Sequence, residues 1–234
     1  MIMLKFLWFI SIGYYVDGYA TNFKEKLKWP NNTVKYIISH TKGNQADFQK
    51  LVNRTLENFQ QVFGDYIRWV EVPACDVKPQ ERHVIFRNFE KLHFEKCGFS
   101  TTNRFGPSII ELPFDYDNRE NCTDSDRFYL ILWVLGFTPT HWRYDRDIYI
   151  TIEWDNIRPI DREFYEKRSD LMNSTNEAFK IYDICSLLHP PTGDNPNKPS
   201  IKPKNDSKLY CMVERGLRNV TKSDIKQFRA IYGA

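Results

Sequence analysis

Glycine is scarce in this chain, ten in 234 residues, and none of it is arranged as a phosphate-cradling loop or as a G-x-S-x-G nucleophile turn. That leaves no signature of a P-loop nucleotide site or of an α/β-hydrolase elbow. A Ser–His–Asp triad is set by geometry, and nothing in the sequence promotes one. Charge of one sign is also missing: 33 Lys and Arg are interleaved with 30 Asp and Glu, for a net charge of +3. Nucleic-acid binding calls for a basic stripe, so that class is set aside. The five cysteines contain no zinc-ribbon or redox-pair spacing. No internal repeat and no interdomain linker breaks the chain. What remains is 41% hydrophobic and 15% aromatic residues, enough for a real core, at a length suited to one domain of about 200 residues.

The N-terminus points to export. Lys5 precedes a short apolar stretch, Phe6 to Tyr15, and Gly18-Tyr19-Ala20 puts small residues at the −3 and −1 positions of a cleavage site. Residues 1–20 are therefore expected to be a signal peptide, too short for a membrane span, with the mature chain starting near Thr21. Six Asn-x-Ser/Thr acceptors, at Asn31, Asn53, Asn121, Asn173, Asn205 and Asn219, are glycosylation candidates in a lumenal protein. Cysteines suit the same oxidising compartment. They come as an odd set, Cys75, Cys97, Cys122, Cys185 and Cys211, so at least one is free or bonded to another chain. The expected localisation is extracellular, with no membrane span after cleavage.

Along the mature chain, Val34, Tyr36 and Ile38 alternate within residues 29–39, which predicts a half-buried strand. Phe48, Leu51, Val52, Leu56, Phe59 and Phe63 fall at helical spacing and predict an amphipathic helix over 46–63. Strand-like runs follow at 67–72, 83–89 and 108–112. Residues 127–137 are apolar all round and end at Gly136, which predicts a core helix buried on every side. The stretch 194–208, rich in Pro, Asn and Lys, reads as an exposed loop. Thr221 with Asp224 predicts a capping box that opens a closing helix bearing Ile225, Phe228 and Tyr232.

Tyr129–Asp147 reads YLILWVLGFTPTHWRYDRD. Its skeleton resembles the signature of the astacin-family zinc proteases, a peptidase family of the metzincin group, HExxHxxGFxHExxRxDRD. Gly136, Phe137, Arg143, Asp145, Arg146 and Asp147 match at identical spacing. Flanking segments extend the likeness. Trp29 with Val34 and Tyr36 resembles the family's first strand. Tyr149-Ile150-Thr151-Ile152 with Asn156 resembles YVTI…N, and Tyr182–Pro190 resembles the Met-turn YDYxSIMHY. The resemblance runs from about Trp29 to Tyr232 and implies an α+β fold. Its parts are a twisted, mostly parallel sheet, two long helices and an irregular C-terminal subdomain. Residues 21–234 are expected to form one such domain, divided at about 138/139.

In the family motif, two histidines four apart and a third beyond the glycine hold zinc, and the adjacent Glu deprotonates the metal-bound water. Carried over residue by residue, the ligand positions hold Tyr129, Trp133 and Pro139, and the base position holds Leu130. Thr140 stands where the carboxylate after the third ligand belongs, Leu188 replaces the Met-turn methionine, and Pro190 replaces the tyrosine ligand. The resemblance also implies a Cys97–Cys122 disulfide. Both cysteines of the family's second bridge are missing, Tyr66 standing at the first position. Cys185–Cys211 is then a private bridge in one reading, which leaves Cys75 unpaired.

Five histidines remain, at 40, 83, 93, 141 and 189, and His141 with His189 flanks the former cleft. Asp124 and Asp126 read as helix N-terminal charge, and Arg143 with Asp145, Arg146 and Asp147 reads as a structural ion-pair network. Only residues 21–28 separate the expected cleavage site from the first strand region, so no pro-segment is expected. Tyr129, Leu130 and Trp133 are expected to fill the emptied metal cavity. The reading is a secreted pseudoprotease without catalytic residues, zinc or another cofactor, which binds an extracellular protein or peptide. The alternatives are a metalloendopeptidase with a non-standard site and a structural extracellular protein.

Overall fold

The computed structural model describes residues 19–39, 45–89, 97–113, 122–193, 195, 197–212 and 218–233. Residues 1–18 of the expected signal peptide, His40, His93 and the Asn121 acceptor lie outside them. In chain order the elements are β1 (Tyr19–Ala20), β2 (Thr33–Ser39), α1 (Gln45–Phe63), β3 (Arg68–Glu71), β4 (His83–Phe89), β5 (Phe99–Thr101) and β6 (Pro107–Pro113). They continue with α2 (Asp124–Val134), β7 (Ile150–Ile152), β8 (Asn173–Ser174), β9 (Ile201–Pro203) and α3 (Lys222–Tyr232).

The main sheet has the order β3-β2-β4-β6-β5. Its first four strands run parallel, and β5 closes one edge antiparallel to β6, with Ser100 opposite Ile110. The parallel core follows from α1, which carries the chain from β2 across to β3. Alternate residues of the strands, Val34, Tyr36, Val84, Phe86, Ile110 and Leu112, join one buried cluster. The helices meet in the same cluster through phenylalanines. Phe59 of α1 stacks on Phe63 at 4.5 Å and meets Phe128 of α2 and Phe228 of α3 edge-on at 5.5 Å each. Such edge-on pairs add to what burial alone contributes.

A second buried cluster, with Ile150, Ile152, Ile157, Tyr182, Ile184 and Ile201, supports the C-terminal part, where β7 pairs with β9. This part is mostly short 3-10 turns, the irregular subdomain that the resemblance implies. The observed architecture is α+β, with the two long helices and the closing helix that the sequence predicts.

Several boundaries differ from the sequence reading, each for a local reason. Residues 29–32 form a 3-10 turn, with Asn31 and Asn32 at φ of 51° and 49°, so the first strand starts at Thr33. α2 begins three residues earlier than 127, because Thr123 and Asp126 form a reciprocal capping box. β5 is three residues long and carries no alternation to read. At the other border, Tyr19 and Ala20 pair with Ser174 and Asn173, and Thr21 N–H donates to the Met172 carbonyl at 3.2 Å. The pairing thus runs on both sides of the expected cleavage point.

Candidate functional site

α2 and its exit place the signature residues. Gly136 sits at φ +102°. The Phe137 N–H reaches the Leu132 carbonyl (2.9 Å) and the Gly136 N–H reaches the Trp133 carbonyl (3.1 Å), a Schellman closure of the helix. A Cβ on Gly136 would stand 3.0 Å from both Leu27 Cβ and Phe23 Cε2. Glycine is therefore required twice, for the turn and for the close approach of the N-terminal segment.

Beyond the turn, the ion-pair network is built around two buried guanidinium groups. Arg143 donates from Nε (2.9 Å) and Nη2 (2.8 Å) to the Asp145 carboxylate, and further to the Ile181 and Phe179 carbonyls. Arg146 donates to Asp147 (3.1 Å) and to the His141 and Tyr165 carbonyls. Each fork ties the signature loop to a segment distant in sequence, which is a holding role for the chain. Asp145 and Asp147 are occupied by these partners, and Asp147 also by Lys167 at 2.5 Å.

The segment 182–190 is fastened to α3 through two carboxylates: Asp183 accepts from the Thr221 hydroxyl at 2.6 Å, and Asp224 reaches back from the helix. Asp224, buried beside the Thr221 cap, accepts from Ser186 Oγ (2.6 Å), Leu187 N–H (3.2 Å) and Thr221 N–H (3.0 Å). Burial pushes its carboxyl group above the ordinary range despite these donors.

A cleft of about 500 Å³ opens beside α2. Its walls include Tyr129, Leu130 and Trp133 from α2, Phe99 and Ser100 from β5, and Trp142, Phe164 and Arg168 from the C-terminal part. Trp133 meets Tyr129 at 6.0 Å and crosses Trp142 edge-on at 5.6 Å. Two expectations are corrected by this geometry. The helix is not buried all round, because Tyr129 and Trp133 are half-buried and face the cleft. Nor do the aromatic rings fill the cavity: they line it, since each packs against its neighbour along one wall. Leu130 does go into the core, where its Cδ1 would stand 3.2 Å from a Cβ on Gly98.

The remaining positions singled out by the resemblance are buried. Pro139 is buried ahead of the 140–142 turn, and Thr140 N–H donates to the Leu188 carbonyl at 2.9 Å. Pro190 is buried and its carbonyl accepts from His189 Nδ1 at 2.8 Å. A carbonyl only accepts, so Nδ1 carries the proton and Nε2 is left to accept from the Tyr182 hydroxyl at 3.2 Å. His141 Nε2 likewise donates to the Phe164 carbonyl (2.9 Å), and its Nδ1 is buried without a partner among the described residues. Neither imidazole lines the cleft. Burial holds both at a pKa of about 3, so both are neutral near pH 7.

Tested against zinc, the donor chemistry at the positions that the family signature gives to ligands does not fit. An indole offers no side-chain lone pair to a metal, and proline has no donor atom in its side chain. Tyr129 has a phenol oxygen, but neither of the other two positions supplies a second side-chain donor. Among the described residues no group of three His, Cys, Asp or Glu could hold a metal ion.

The structure brings Tyr129, Leu130 and Trp133 to one wall, while Pro139 and Pro190 are buried and do not line it. Cys97 and Cys122 are bonded, with Cα atoms 5.3 Å apart, as are Cys185 and Cys211 at 4.6 Å, while Cys75 is free and exposed. Asn31, Asn53, Asn173, Asn205 and Asn219 are all exposed. The sequence reading missed Phe99, Ser100, Trp142, Phe164 and Arg168. Only Trp142, inside the signature segment, carried a positional hint.

Comparisons with known proteins agree on the family. Residues 119–233 match the model for the Astacin peptidase family. The chain is 25% identical over 209 residues to zinc metalloproteinase nas-11 of Caenorhabditis elegans, covering 88% of this chain and 34% of that protein. It is 22% identical over 214 residues to seminal metalloprotease 1 of Drosophila melanogaster, covering 83% and 76%. A shorter match, 35% over 102 residues, links it to the astacin-like metalloendopeptidase of Gallus gallus, with 42% of this chain and 23% of that protein covered. It thus spans about a third of the length of the first relative and three quarters of the second.

In structure it is similar to high choriolytic enzyme 1, a hatching enzyme zinc-protease from Oryzias latipes. The TM-score is 0.58 at 22% identity, with 88% of this chain and 93% of that chain covered, a likeness that speaks for the fold. The chain carries a domain of the astacin peptidase family.

Proposed function

We propose that this chain is a secreted, glycosylated astacin-like pseudoprotease that binds no zinc and engages an extended segment of an extracellular protein or peptide. One observation carries the reading: the cleft wall where the family motif places metal ligands and base is formed by Tyr129, Leu130 and Trp133, packed in aromatic contacts. Metal catalysis of peptide cleavage needs both a Lewis acid and the hydroxide it generates. Losing three ligand positions and the base removes both at once. What the cleft keeps is suited to holding a chain. β5 is the edge of the main sheet and lines the cleft, so an extended peptide can add to it as a further strand. The five exposed acceptor asparagines support glycosylation, and no described helix is long and apolar enough to cross a membrane.

The names of the relatives favour the second reading, a zinc metalloendopeptidase with a non-standard site. A protease assay on a mixed peptide library, with and without a chelator, separates the two. The pseudoprotease leaves every peptide intact under both conditions. Chelator-sensitive cleavage by the purified chain, restored by added zinc, would contradict it.

A further inference from the structure

We propose that an N-linked glycan on Asn53 covers the β3 edge of the main sheet and keeps the secreted chain from pairing there with a second copy. The proposal rests on the glycosylated reading above and gives one acceptor a task.

The main sheet has two edges, β5 and β3. β3 pairs with β2 on one side, and the N–H and C=O groups of its other side meet no strand among the described residues. An open edge of this kind is a template for a further strand. Trp69 and Val70 in its middle are half-buried, and Arg68 and Glu71 at its ends are exposed. The two end charges are opposite in sign, so they raise no net repulsion against a second copy of the same edge. Glu71 is also drawn to its own chain, by Gln49 Nε2 at 2.9 Å and by the Tyr36 hydroxyl. Lysine and proline, two usual guards of an edge, are absent from residues 68–71.

Asn53 stands beside this edge. It lies one turn beyond Gln49 on α1 (Gln45–Phe63), on the same helix face. Gln49 Nε2 donates to Asn53 Oδ1 at 3.3 Å as well as to Glu71 Oε2 at 2.9 Å, so one glutamine side chain bridges the acceptor and the strand. Asn53 is exposed, and Thr55 completes its sequon. A glycan replaces one hydrogen of Nδ2 and leaves Oδ1 to Gln49. A bulky, hydrated sugar chain rooted there takes the space that an added strand needs. Asn173, by contrast, sits in the β1–β8 pair. With β3 covered, β5 is left as the open edge, the one that the peptide reading uses.

The test uses the chain secreted from a glycosylating cell. Glycopeptide mass spectrometry is expected to find Asn53 occupied. Light scattering after size exclusion, at high protein concentration, should give a monomer for the parent and for Asn173→Gln. Asn53→Gln should give twice the polypeptide mass. Adding Val70→Glu to Asn53→Gln should restore the monomer, because like charges then meet across the paired edges. That rescue separates edge pairing from a general loss of solubility. Endoglycosidase trimming of the folded parent is the second route should Asn53→Gln fail to leave the cell. Association on trimming that Val70→Glu abolishes carries the same meaning.

Occupied sequons elsewhere with Asn53 bare would overturn the proposal and leave the glycosylated reading standing. No occupancy at any sequon would overturn both. A monomer after removal or trimming of the Asn53 glycan, or association that Val70→Glu does not reverse, would overturn the edge role.

Discussion

At the scale of single residues, aromatic side chains occupy positions that the family signature gives to metal ligands. Tyr129 and Trp133 stand on the helix face where two ligands would project, and they pack with Trp142 along one wall. The identity of these substitutions was legible from sequence, because spacing in the signature is fixed by helix geometry. Their arrangement was not, because Trp142, Phe164 and Arg168 reach the cleft only through the folded C-terminal part. The buried histidines yield a prediction at this scale. His141 and His189 have folded pKa values of about 3 against an unfolded value near 6.5. Depressed folded values mean that the unfolded chain binds protons first, so stability present above pH 6.5 is lost as pH falls toward 3. The slope approaches about 1.4 kcal/mol per pH unit for each imidazole. Asp224, raised by burial, works in the opposite direction at the acidic end and offsets part of that loss. Urea unfolding midpoints should fall steadily between pH 7 and pH 5; a flat profile would contradict the neutral, buried assignment.

At the scale of elements, α2 and α3 are each defined by what closes their ends. The Thr221–Asp224 box was readable because it precedes an amphipathic run. The Thr123–Asp126 box was overlooked because the apolar stretch alone drew the boundary. Gly136→Ala should destabilise the fold by about 2 kcal/mol or more, since it combines positive φ with 3.0 Å approaches to Leu27 and Phe23. A thermal midpoint within a degree of the parent would show that the N-terminal segment does not pack against this turn.

Asp224→Asn should cost about 2–3 kcal/mol, because one oxygen acceptor is exchanged for an amide donor facing Ser186, Leu187 and Thr221. Amide exchange in residues 182–190 should quicken with it. Unchanged exchange there would mean that α3 does not hold the segment.

At the scale of the whole molecule, the sheet, the three helices and the irregular C-terminal part form the astacin-type fold. Strand order and the antiparallel edge β5 could not be read from the sequence, because register between distant strands leaves no local pattern in short segments. The Cys97–Cys122 bridge spans 25 residues and should contribute on the order of 3 kcal/mol. In the proposed pseudoprotease that cross-link and the aromatic core support the fold, and metal does not.

The most direct measurement is the zinc content of the purified, secreted chain after dialysis against metal-free buffer, by elemental analysis. A pseudoprotease should hold less than about 0.1 zinc per chain, the result of a lost three-ligand site. One tightly held zinc per chain would contradict that loss and would require donors other than Tyr129, Trp133 and Pro139.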